Sequence, residues 1–393
     1  MNGSSVSTAV ALERCDRFVA RTMNWLYDHL RHLPRYKPVV LCEHLQNRGE
    51  FPELEAWFLD PKNLQRRVWR RLMGSRPYPN DLWRIRKLRP VILHSHFGYV
   101  ANADLELRRR LAIPWVVSFY GADVYEISRL EEGQELYRNV FAEADQVLVL
   151  GPVMAERVEK LGCPRRKIQI HPLGVDVASL PSRPRLLDRK GPLEVLFAGT
   201  FREKKGIQYA LEGAALARER GVPLRFHLVA GTMGKSGEDR TRSAVLELVH
   251  RMRLEEVVTH YPLLPFQDLL DVALRSHIFI APSVEAEDGD AEGTPFVLQQ
   301  MMTTGMPAIA TLHSDIPYLF GQHKHLLLRE RDSLSIADRL QFYWEKPEAI
   351  AEHGRILRER ILEAFDTRRC SLRLSEIYDR VQQASAPVDK SVG

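Results

Sequence analysis

The feature that most constrains the fold of this chain is the alternation of short apolar segments with longer amphipathic ones along almost its whole length. The short segments are rich in β-branched and aromatic residues, as strands are, and the longer ones repeat their apolar residues with the period of a helix. This alternation predicts an α/β protein with parallel sheets, because consecutive parallel strands need a crossover that is usually a helix. Strands are predicted at residues 37–41, 91–97, 115–120, 146–151, 167–175, 193–199, 224–231, 257–263, 278–284 and 306–312.

One segment without periodicity divides the chain. Residues 180–192 are rich in proline and charge, which is typical of a linker. The chain has 393 residues, more than the roughly 100–200 of a single domain. We therefore expect an N-terminal domain over residues 1–179 and a second domain over residues 193–365. A C-terminal helix and tail, residues 366–393, would pack back on the first domain.

Composition favours a cytoplasmic protein. No segment approaches the ~18 consecutive apolar residues of a membrane-spanning helix. Residues 1–17 lack the basic and apolar regions of a secretion signal. The cysteines are far apart in sequence and form no paired metal or disulfide motif. They are Cys15, Cys42, Cys163 and Cys370.

Basic charge is concentrated in residues 62–89. This segment has ten Lys and Arg side chains against one acid, Asp81, a net charge of +9, whereas the whole chain carries only +5. Its apolar residues recur at helical spacing, which predicts a basic amphipathic helix. Two interpretations stay open: a solvated helix docked on its own domain, or a contact with anionic lipid or a phosphate-bearing acceptor. No nucleic-acid-binding motif accompanies the charge. The apolar residues are Leu64, Val68, Trp69, Leu72 and Met73.

A basic loop follows the predicted strand at residues 193–199. Arg202, Lys204 and Lys205 lie between the strand end at Gly199 and a predicted helix. Cationic side chains beside the free N–H groups of a helix N-terminus suit a diphosphate. Solvated surface charge is the alternative interpretation of this loop.

A second loop with residues suited to ligand binding follows the predicted strand at residues 278–284. Gly293 lets the backbone approach a ligand closely, and Pro295 suits the first turn of the helix that follows. Glu292 and Gln300 are eight positions apart, about two helical turns. A carboxylate and an amide at this spacing can hold two hydroxyl-bearing parts of one ligand.

Together these motifs resemble the retaining glycosyltransferases of family four, which have the GT-B fold, and especially the bacterial extracellular-polysaccharide branch of the colanic acid and amylovoran enzymes. The resemblance is carried by residues 161–176, 203–206, 292–295 and 305–307 in that order, within residues 94–320. It implies two Rossmann-like domains facing a central cleft. A nucleotide-sugar donor would bind mainly to the second domain and an acceptor mainly to the first.

The resemblance also implies roles for the donor-side residues. Lys205 and Arg202 would neutralise the diphosphate leaving group, and Glu292 would bind hydroxyls of the donor hexose. Catalysis would be electrostatic, through cations and a helix N-terminus. The remaining donor-binding residues would be Gly199, Thr200, Gly293, Thr294, Pro295, Phe296, Val297 and Gln300.

In the first domain, two strand ends resemble the acceptor side of these enzymes. His96 and Gly98 follow one strand, and Tyr120 and Asp123 follow the next. His96 is the candidate catalytic residue of this domain, with a strand-end histidine that is merely hydrogen-bonded as the alternative. Tyr120 either positions a sugar or is a core or hinge aromatic. Gly98 and Asp123 are assigned to the acceptor cleft.

The chain departs from the family pattern at three of these positions. Gln300 stands where glutamate is common, Thr200 where arginine is common, with Arg202 as its substitute, and Tyr120 where histidine is common. The family's opening strand also lacks a clear counterpart, because a polar tail and a helix over residues 17–31 are predicted in its place. That strand is expected to be short, displaced or absent.

The resemblance therefore implies a retaining hexosyltransferase that acts on a glycan or lipid-linked saccharide in polysaccharide biosynthesis. It would be cytoplasmic and peripheral at the inner face of the membrane, with residues 62–89 as the contact. Asp288 and Asp290 imitate the Asp-x-Asp metal site of other glycosyltransferases, but no metal or other cofactor is expected in this fold. Two alternatives remain: a transferase with a small soluble acceptor, and a nucleotide-sugar-binding protein without turnover.

Overall fold

The structure is a computed structural model that describes residues 9–19, 24–51, 53–74, 76–127 and 131–385. It divides into two compact α/β units, one formed by Met1–Gly174 with Thr367–Gly393 and the other by Val175–Asp366. The prediction of an α/β protein built from parallel sheets is confirmed in both. The predicted tails at residues 1–8 and 386–393 lie outside the described residues.

The first unit contains a sheet of seven strands, all paired in parallel. Its strand order is β3-β2-β1-β4-β5-β6-β7. The strands are β1 (Ala9–Phe18), β2 (Tyr36–Leu45), β3 (Glu55–Phe58), β4 (Pro90–His96), β5 (Trp115–Ser118), β6 (Gln146–Val149) and β7 (Ile168–Ile170). Helices alternate with them: α1 (Asn24–Arg31), α2 (Leu64–Met73), α3 (Pro79–Lys87), α4 (Gly98–Leu111), α5 (Ala122–Tyr125), α6 (Glu131–Glu143) and α7 (Pro152–Lys160).

The strand β1 corrects two predictions, that the opening strand is short, displaced or absent and that a helix begins at residue 17. In place of the start of the helix predicted over residues 17–31, the described part of the chain begins with β1, a ten-residue strand in the interior of the sheet, and α1 covers only the end of the predicted helix. The strand is hard to recognise because Glu13 and Arg14 interrupt its apolar pattern. Both are buried and paired, Arg14 with Asp104, so their polarity does not mark a surface. Residues 20–23 of the predicted helix lie outside the described residues.

The second unit contains a sheet of five parallel strands in the order β10-β9-β8-β11-β12. The strands are β8 (Leu193–Thr200), β9 (Leu224–Gly231), β10 (Val258–Tyr261), β11 (Ile278–Ala281) and β12 (Ala308–Ala310). The helices are α8 (Ile207–Glu219), α9 (Glu238–Arg251), α10 (Phe266–Arg275), α11 (Phe296–Thr303), α12 (Ile316–Phe320), α13 (Ser333–Glu345) and α14 (Glu348–Ala364).

Both faces of the five-stranded sheet are covered, as parallel sheets require. Along β8, Val195 and Phe197 belong to one buried apolar cluster, while Leu196 and Ala198 belong to another. Successive strand residues point to opposite faces, so each cluster fills the space between the sheet and one layer of helices. The segment predicted as a linker, residues 180–192, belongs to this unit.

The last helix, α15 (Thr367–Ser385), returns to the first unit. Its Leu374, Ile377 and Tyr378 pack in one buried cluster with Ala11 of β1 and Ile92 of β4. The helix therefore covers one face of the seven-stranded sheet. Among the described residues, none of the helices has the length and apolarity needed to traverse a bilayer.

In each sheet the chain reverses direction across the strand order at one point. These points lie between β1 and β4 in the first unit and between β8 and β11 in the second. In open parallel sheets, ligands bind in the crevice outside the carboxyl ends of the strands at such a point. The loops that follow these four strands are therefore where a site is expected.

Gly206 sets the geometry of the loop between β8 and α8. Its φ is +63°, in the left-handed region that side chains disfavour. A Cβ built at this position would lie 1.9 Å from the carbonyl oxygen of Pro282, which follows β11. Only glycine allows the loops after β8 and β11 to approach this closely.

We expect Gly206→Ala to destabilise the second unit by about 3 kcal/mol, from the backbone strain and the clash with Pro282. Urea unfolding monitored by circular dichroism measures this change. Gly191→Ala is the matched control, because its Cβ would meet nothing closer than the Asp188 carbonyl oxygen at 3.8 Å. Equal stability of the two variants would contradict the close approach at Gly206.

Candidate functional site

The loops after β8 and β11 meet at the carboxyl edge of the second sheet. The first loop makes a short 3₁₀ turn, Glu203–Lys205, before α8. The second loop runs from Pro282 to Pro295, where α11 begins. The N–H of Val284 donates to the carbonyl oxygen of Lys204 at 2.9 Å, so main-chain contacts hold the loops together.

Ion pairs cross between the same two loops. Arg202 lies 2.7 Å from Asp290, and Lys204 lies 3.1 Å from Asp290 and 3.3 Å from Glu292. Lys205 lies 3.1 Å from Glu292. These five side chains carry a net charge of +1, so the cluster retains an excess of positive charge at the edge of the sheet.

The cluster is charged at neutral pH. Burial by itself would raise the pKa of Glu292, but Lys204 and Lys205 outweigh burial and hold that pKa well below its ordinary value. Burial likewise disfavours the charged form of Lys204, but Glu292 and Asp290 raise its pKa. Each charge therefore depends on its partners, as buried charges generally do.

The three cations differ in exposure. The side chains of Arg202 and Lys205 are 17% and 19% exposed, whereas that of Lys204 is 10% exposed and contacts both carboxylates. Arg202 and Lys205 can therefore reach a ligand, and Lys204 clamps the two loops together. The sequence predicted catalytic roles for Arg202 and Lys205, whereas Lys204 was only one member of the same cationic loop.

Asp290 also has a different role from the one its sequence suggested. It imitated a metal ligand of an Asp-x-Asp motif, but one of its carboxylate oxygens faces Arg202 and the other faces Lys204. Its main-chain N–H donates to the Asp288 carboxylate at 2.8 Å. Asp290 orients the cations of the site.

His313 positions the backbone at Glu292. The N–H of Glu292 donates to Nε2 of His313 at 3.0 Å, so the proton of the neutral ring lies on Nδ1 and is donated to Glu330 at 2.7 Å. His313 lies just after β12, and only its place after a strand could have drawn attention to it in the sequence.

The other predicted donor-binding residues surround this cluster. Gly199 and Thr200 end β8, Gly293 and Thr294 lie beside Glu292, and Pro295 caps α11. The buried hydroxyl of Thr294 has no hydrogen-bond partner among the described residues, so it is available to a ligand. Phe296, Val297 and Gln300 lie on α11, and Gln300 is buried.

In the first unit, the candidate His96 is part of a buried hydrogen-bond network. Its Nε2 donates to Glu13 at 2.9 Å, and its Nδ1 accepts from the Tyr120 hydroxyl at 2.6 Å. Burial, together with the neighbouring His94, lowers the pKa of His96 to about 4. His96 is therefore neutral at pH 7 and both ring nitrogens are engaged.

Glu13 is the centre of this network. It accepts a hydrogen bond from the Tyr378 hydroxyl at 2.9 Å, and His94 bridges Tyr378 and Ser118. Burial favours its neutral form, but hydrogen bonds from His94 and His96 outweigh this and lower the pKa of Glu13 to about 2. Glu13 was not among the candidates from the sequence, because no strand was predicted at its position.

Glu13, His94 and His96 also have the mutual spacing of metal ligands, with their ligand atoms within 4.8 Å of one another. All three are fully buried. Their ligand atoms already hydrogen-bond to one another and to Tyr378 and Tyr120. The arrangement is complete as a hydrogen-bond network.

Asp123 and Gly98 shape the two strand ends. The Asp123 carboxylate accepts from the N–H groups of Gly98, Tyr120 and Gly121 at 3.1, 3.1 and 2.8 Å. It is fully buried, and a Cβ at Gly98 would lie 2.3 Å from the Phe119 ring. Both residues therefore hold the loops in place.

Tyr120 packs between two aromatic rings, with centroid distances of 4.6 Å to Trp25 and 4.9 Å to Phe97. Its hydroxyl points to His96. The structure thus brings His96, Gly98, Tyr120 and Asp123 together at the ends of β4 and β5, as expected, but in a packed arrangement. Tyr120 is half-buried against these rings, and both interpretations of its role stay predictions.

Two known domains match consecutive parts of this chain. Residues 19–174 match the domain described as "Glycosyl transferase 4-like domain", and residues 192–346 match "Glycosyl transferases group 1". WcaL of Escherichia coli, named as a colanic acid biosynthesis glycosyltransferase, is 29% identical over 82% of this chain and 76% of its own. AmsK of Erwinia amylovora, named as an amylovoran biosynthesis glycosyltransferase, is 28% identical over 57% of this chain and 54% of its own.

Solved structures resemble the whole chain. HepE of Anabaena, crystallised with UDP, superposes with a TM-score of 0.75 at 12% identity, covering 94% of this chain and 100% of that one. Sucrose-phosphate synthase of Thermosynechococcus elongatus superposes with a TM-score of 0.73 at 16% identity, covering 96% and 100%. At these identities the likeness concerns the fold alone.

We expect Tyr378→Phe to destabilise the first unit by about 1.5–3 kcal/mol, because it removes a donor to the buried charge of Glu13. The loss should be full above pH 4.5 and shrink as the pH falls towards 2, since stabilisation of ionised Glu13 disappears in that window. Urea unfolding at a series of pH values measures it.

Tyr36→Phe is the matched control, since the Tyr36 hydroxyl donates to Asp379, a partly exposed carboxylate. Its loss should stay within about 1 kcal/mol. A Tyr378→Phe loss that is equally small at every pH would show that Glu13 does not depend on this hydroxyl.

Proposed function

The chain belongs to the GT-B glycosyltransferases that join a glycosyl transferase 4-like domain to a group 1 domain, and from that premise we propose that it moves a hexose from a nucleotide-diphosphate sugar to a glycan or lipid-linked saccharide. The transfer would retain anomeric configuration and need no metal or other cofactor. The observation that carries the proposal is the cationic cluster at the carboxyl ends of β8 and β11. The names of WcaL and AmsK support a role in polysaccharide biosynthesis, and crystals of HepE with UDP-glucose support the donor class.

Arg202 and Lys205 are the residues proposed to bind the donor diphosphate. Both are at the accessible side of the cluster, and each is held by a carboxylate of the opposite loop. Charge-assisted hydrogen bonds to phosphate are roughly twice as strong as neutral ones. The N-termini of α8 and α11 lie beside the two loops and would add their free N–H groups. As the bond to the leaving group breaks, this preorganised charge stabilises the diphosphate.

Glu292 is proposed to hold the hexose. Its carboxylate is ionised, anchored by Lys204 and Lys205, and its backbone is fixed by His313. An ionised carboxylate accepts hydrogen bonds only, so it suits the hydroxyls of a sugar. The unpartnered hydroxyl of Thr294 and the amide of Gln300 would complete the contacts to the donor.

The proposed reaction has one step on one face of the sugar. The acceptor oxygen bonds to the anomeric carbon as the bond from that carbon to the diphosphate breaks, and the acceptor proton passes to the leaving phosphate. A double displacement would need a free carboxylate nucleophile. Asp290 and Glu292 are both paired with cations, which supports the single step.

A second candidate function is nucleotide-sugar binding without turnover. It is favoured by Tyr120, whose hydroxyl is turned towards His96 inside the first unit. Saturable binding of a nucleotide sugar, without release of the sugar to any acceptor, would favour this candidate.

We expect Lys205→Ala and Glu292→Gln each to lower kcat at least 100-fold, because each removes a charge that acts on the donor. Release of nucleotide from UDP-, GDP- and ADP-sugars, with a glycolipid extract and in EDTA, measures it. Glu287→Gln is the matched control, an exposed acid in the same loop.

That control should keep full activity, and circular dichroism should show that all three variants are folded. Full activity of Lys205→Ala or Glu292→Gln would refute the proposed site. Loss of wild-type activity in EDTA, restored by a divalent cation, would refute the metal-independent reaction.

The basic segment at residues 62–89 supports a membrane-bound acceptor. It forms two helices, α2 and α3, and the apolar stripe of α2 is not docked: Leu64, Val68 and Leu72 are 72%, 49% and 74% exposed. Arg67 and Arg71 flank this stripe and form no ion pair with any described residue. Exposed apolar residues beside unpaired arginines suit the surface of an anionic bilayer. We therefore propose peripheral binding at the inner face of the cytoplasmic membrane.

Neutralising Arg67→Gln and Arg71→Gln together should weaken binding to vesicles of 30% anionic lipid about 30-fold, at about 1 kcal/mol for each charge. Vesicle sedimentation at low and high salt measures it. Arg165→Gln with Arg166→Gln is the control, an equal charge change on exposed residues elsewhere in the first unit. Equal weakening by both pairs would mean that net charge, not α2, drives the binding.

A further inference from the structure

One acid outside the loop that carries Glu292 is hydrogen-bonded to both ends of its segment 285–292. This acid is Glu330, in the turn before α13. Its Oε2 accepts from the N–H of Glu285 at 3.0 Å, and its Oε1 accepts from Nδ1 of His313 at 2.7 Å. Nε2 of His313 in turn accepts from the N–H of Glu292 at 3.0 Å. Glu330 therefore connects the two ends of the segment, once directly and once through the ring of His313.

The segment also has supports that do not involve His313. The N–H of Glu287 donates to the Glu203 carboxylate at 3.0 Å in an exposed contact, and Lys204 forms the ion pairs described above. By contrast, the side chain of His313 is 2% exposed, and its hydrogen bond from the Glu292 N–H is buried. A change at His313 should therefore shift the backbone at Glu292 without releasing the whole loop.

The partners of His313 select one protonation state of its ring. The Glu330 carboxylate can only accept a hydrogen bond, so Nδ1 carries a proton. The N–H of Glu292 can only donate, so Nε2 carries none. A proton on Nε2, in the other neutral tautomer or in the charged ring, would place two N–H groups against each other. The backbone at Glu292 would then lose its buried acceptor and move away from the ring.

The charged groups around this link do not take up a proton in mild acid. Burial by itself would raise the pKa of Glu292, but Lys204 and Lys205 lower it. Burial would likewise raise the pKa of Glu330, but hydrogen bonds from His313 and from a main-chain N–H lower it. Ammonium and guanidinium groups have no site for a further proton. Imidazole is the side chain that gains a proton as a solution becomes mildly acidic, so acid acts on this link through the ring. The cations around the link are Lys204, Lys205 and Arg331.

We propose that His313 and Glu330 are positioning residues that aim the Glu292 carboxylate at the donor hexose, and that a proton on Nε2 of His313 withdraws it. The inference rests on the proposed contact of Glu292 with the hexose, and it adds the regulation of that contact by pH. Both ring nitrogens of His313 are engaged by the protein, so the ring acts through the backbone of Glu292. Arg202 and Lys205, which would bind the diphosphate, lie on the other loop.

Calorimetry of sugar-nucleotide binding tests the effect of acid on the wild type. The probe is the tightest ligand in a panel of UDP-, GDP- and ADP-hexoses that begins with UDP-glucose. The diphosphate of these donors is esterified at both ends and does not titrate between pH 8 and pH 5.5. We expect the affinity to fall about tenfold over this range, because a hydrogen bond that fixes a charged contact is lost.

Two substitutions of His313 separate the acceptor from the titrating ring. In His313→Gln, the amide oxygen can accept from the Glu292 N–H but does not take up a proton. Its affinity should stay within about threefold of wild type at pH 8 and should not fall at pH 5.5. His313→Asn is too short to reach that N–H, so it should bind about tenfold more weakly at both pH values. His250→Gln is the matched control, an exposed histidine whose Nδ1 lies 2.7 Å from Glu255, and it should keep the affinity and the acid loss of the wild type.

A double-mutant cycle tests whether His313 acts through Glu292. In the Glu292→Ala background no carboxylate remains to be aimed, so His313→Asn and a fall to pH 5.5 should each leave the donor affinity unchanged. A merely structural role of His313 would weaken binding in both backgrounds. Glu330→Gln should weaken donor binding several-fold, because an amide offers one acceptor oxygen to two donors. Glu255→Gln is its control and should bind like the wild type.

Equal affinity of the wild type at pH 8 and pH 5.5 would overturn the proposal, and this comparison needs no variant. An acid loss in His313→Gln as large as in the wild type would overturn it as well, as would an undiminished effect of His313→Asn in the Glu292→Ala background. Circular dichroism at both pH values checks that each variant is folded. If none of the hexose nucleotides binds the wild type, the proposed function fails together with this inference. If a donor binds but these differences are absent, only the positioning roles fail.

Discussion

A buried carboxylate lies at the reversal point of each sheet, and the surrounding structure depends on its being neutralised. In the first unit Glu13 accepts hydrogen bonds from Tyr378 and from His96, whose ring is neutral at pH 7. In the second unit Glu292 is stabilised by two lysines. Taking an ion out of water without such partners costs several kcal/mol. The two arrangements have different consequences. The hydrogen bonds around Glu13 form a fixed network, whereas the ion pairs around Glu292 leave cations beside an accessible edge of the sheet.

The ion pairs around Glu292 explain how one loop can both hold its shape and bind a ligand. Lys204 is buried against both carboxylates, and Arg202 and Lys205 extend to the accessible side. Gly206 then allows the two loops to touch. Neighbouring residues of the same short turn therefore divide the two tasks: Lys204 and Gly206 fix the loop, and Arg202 and Lys205 can reach a ligand.

The sequence was sufficient where residues close in the chain act together. The strands and helices of the second unit, the GT-B fold, and the loops that carry Lys205 and Glu292 followed from local patterns and ordered motifs. The sequence was insufficient to predict contacts between distant positions. Lys204 contacts Asp290 across 86 residues, and Glu13 contacts Tyr378 across 365. Glu13 and Arg14 also made β1 resemble a surface segment, because hydropathy cannot tell a buried, paired charge from a solvated one. The roles of the site residues towards donor and acceptor remain predictions.

The return of α15 to the first sheet determines the order in which the two units can complete their folding during synthesis. Tyr378, which completes the hydrogen bonding of Glu13, is synthesised after the entire second unit. During translation, β1 and β4 can emerge from the ribosome and pair, but one face of their sheet stays uncovered until residues 374–381 appear. Domains generally fold as units in order of synthesis, and this chain cannot follow that order. The N-terminal unit is completed last, so a nascent chain stalled within the second unit would expose an apolar sheet face to chaperones.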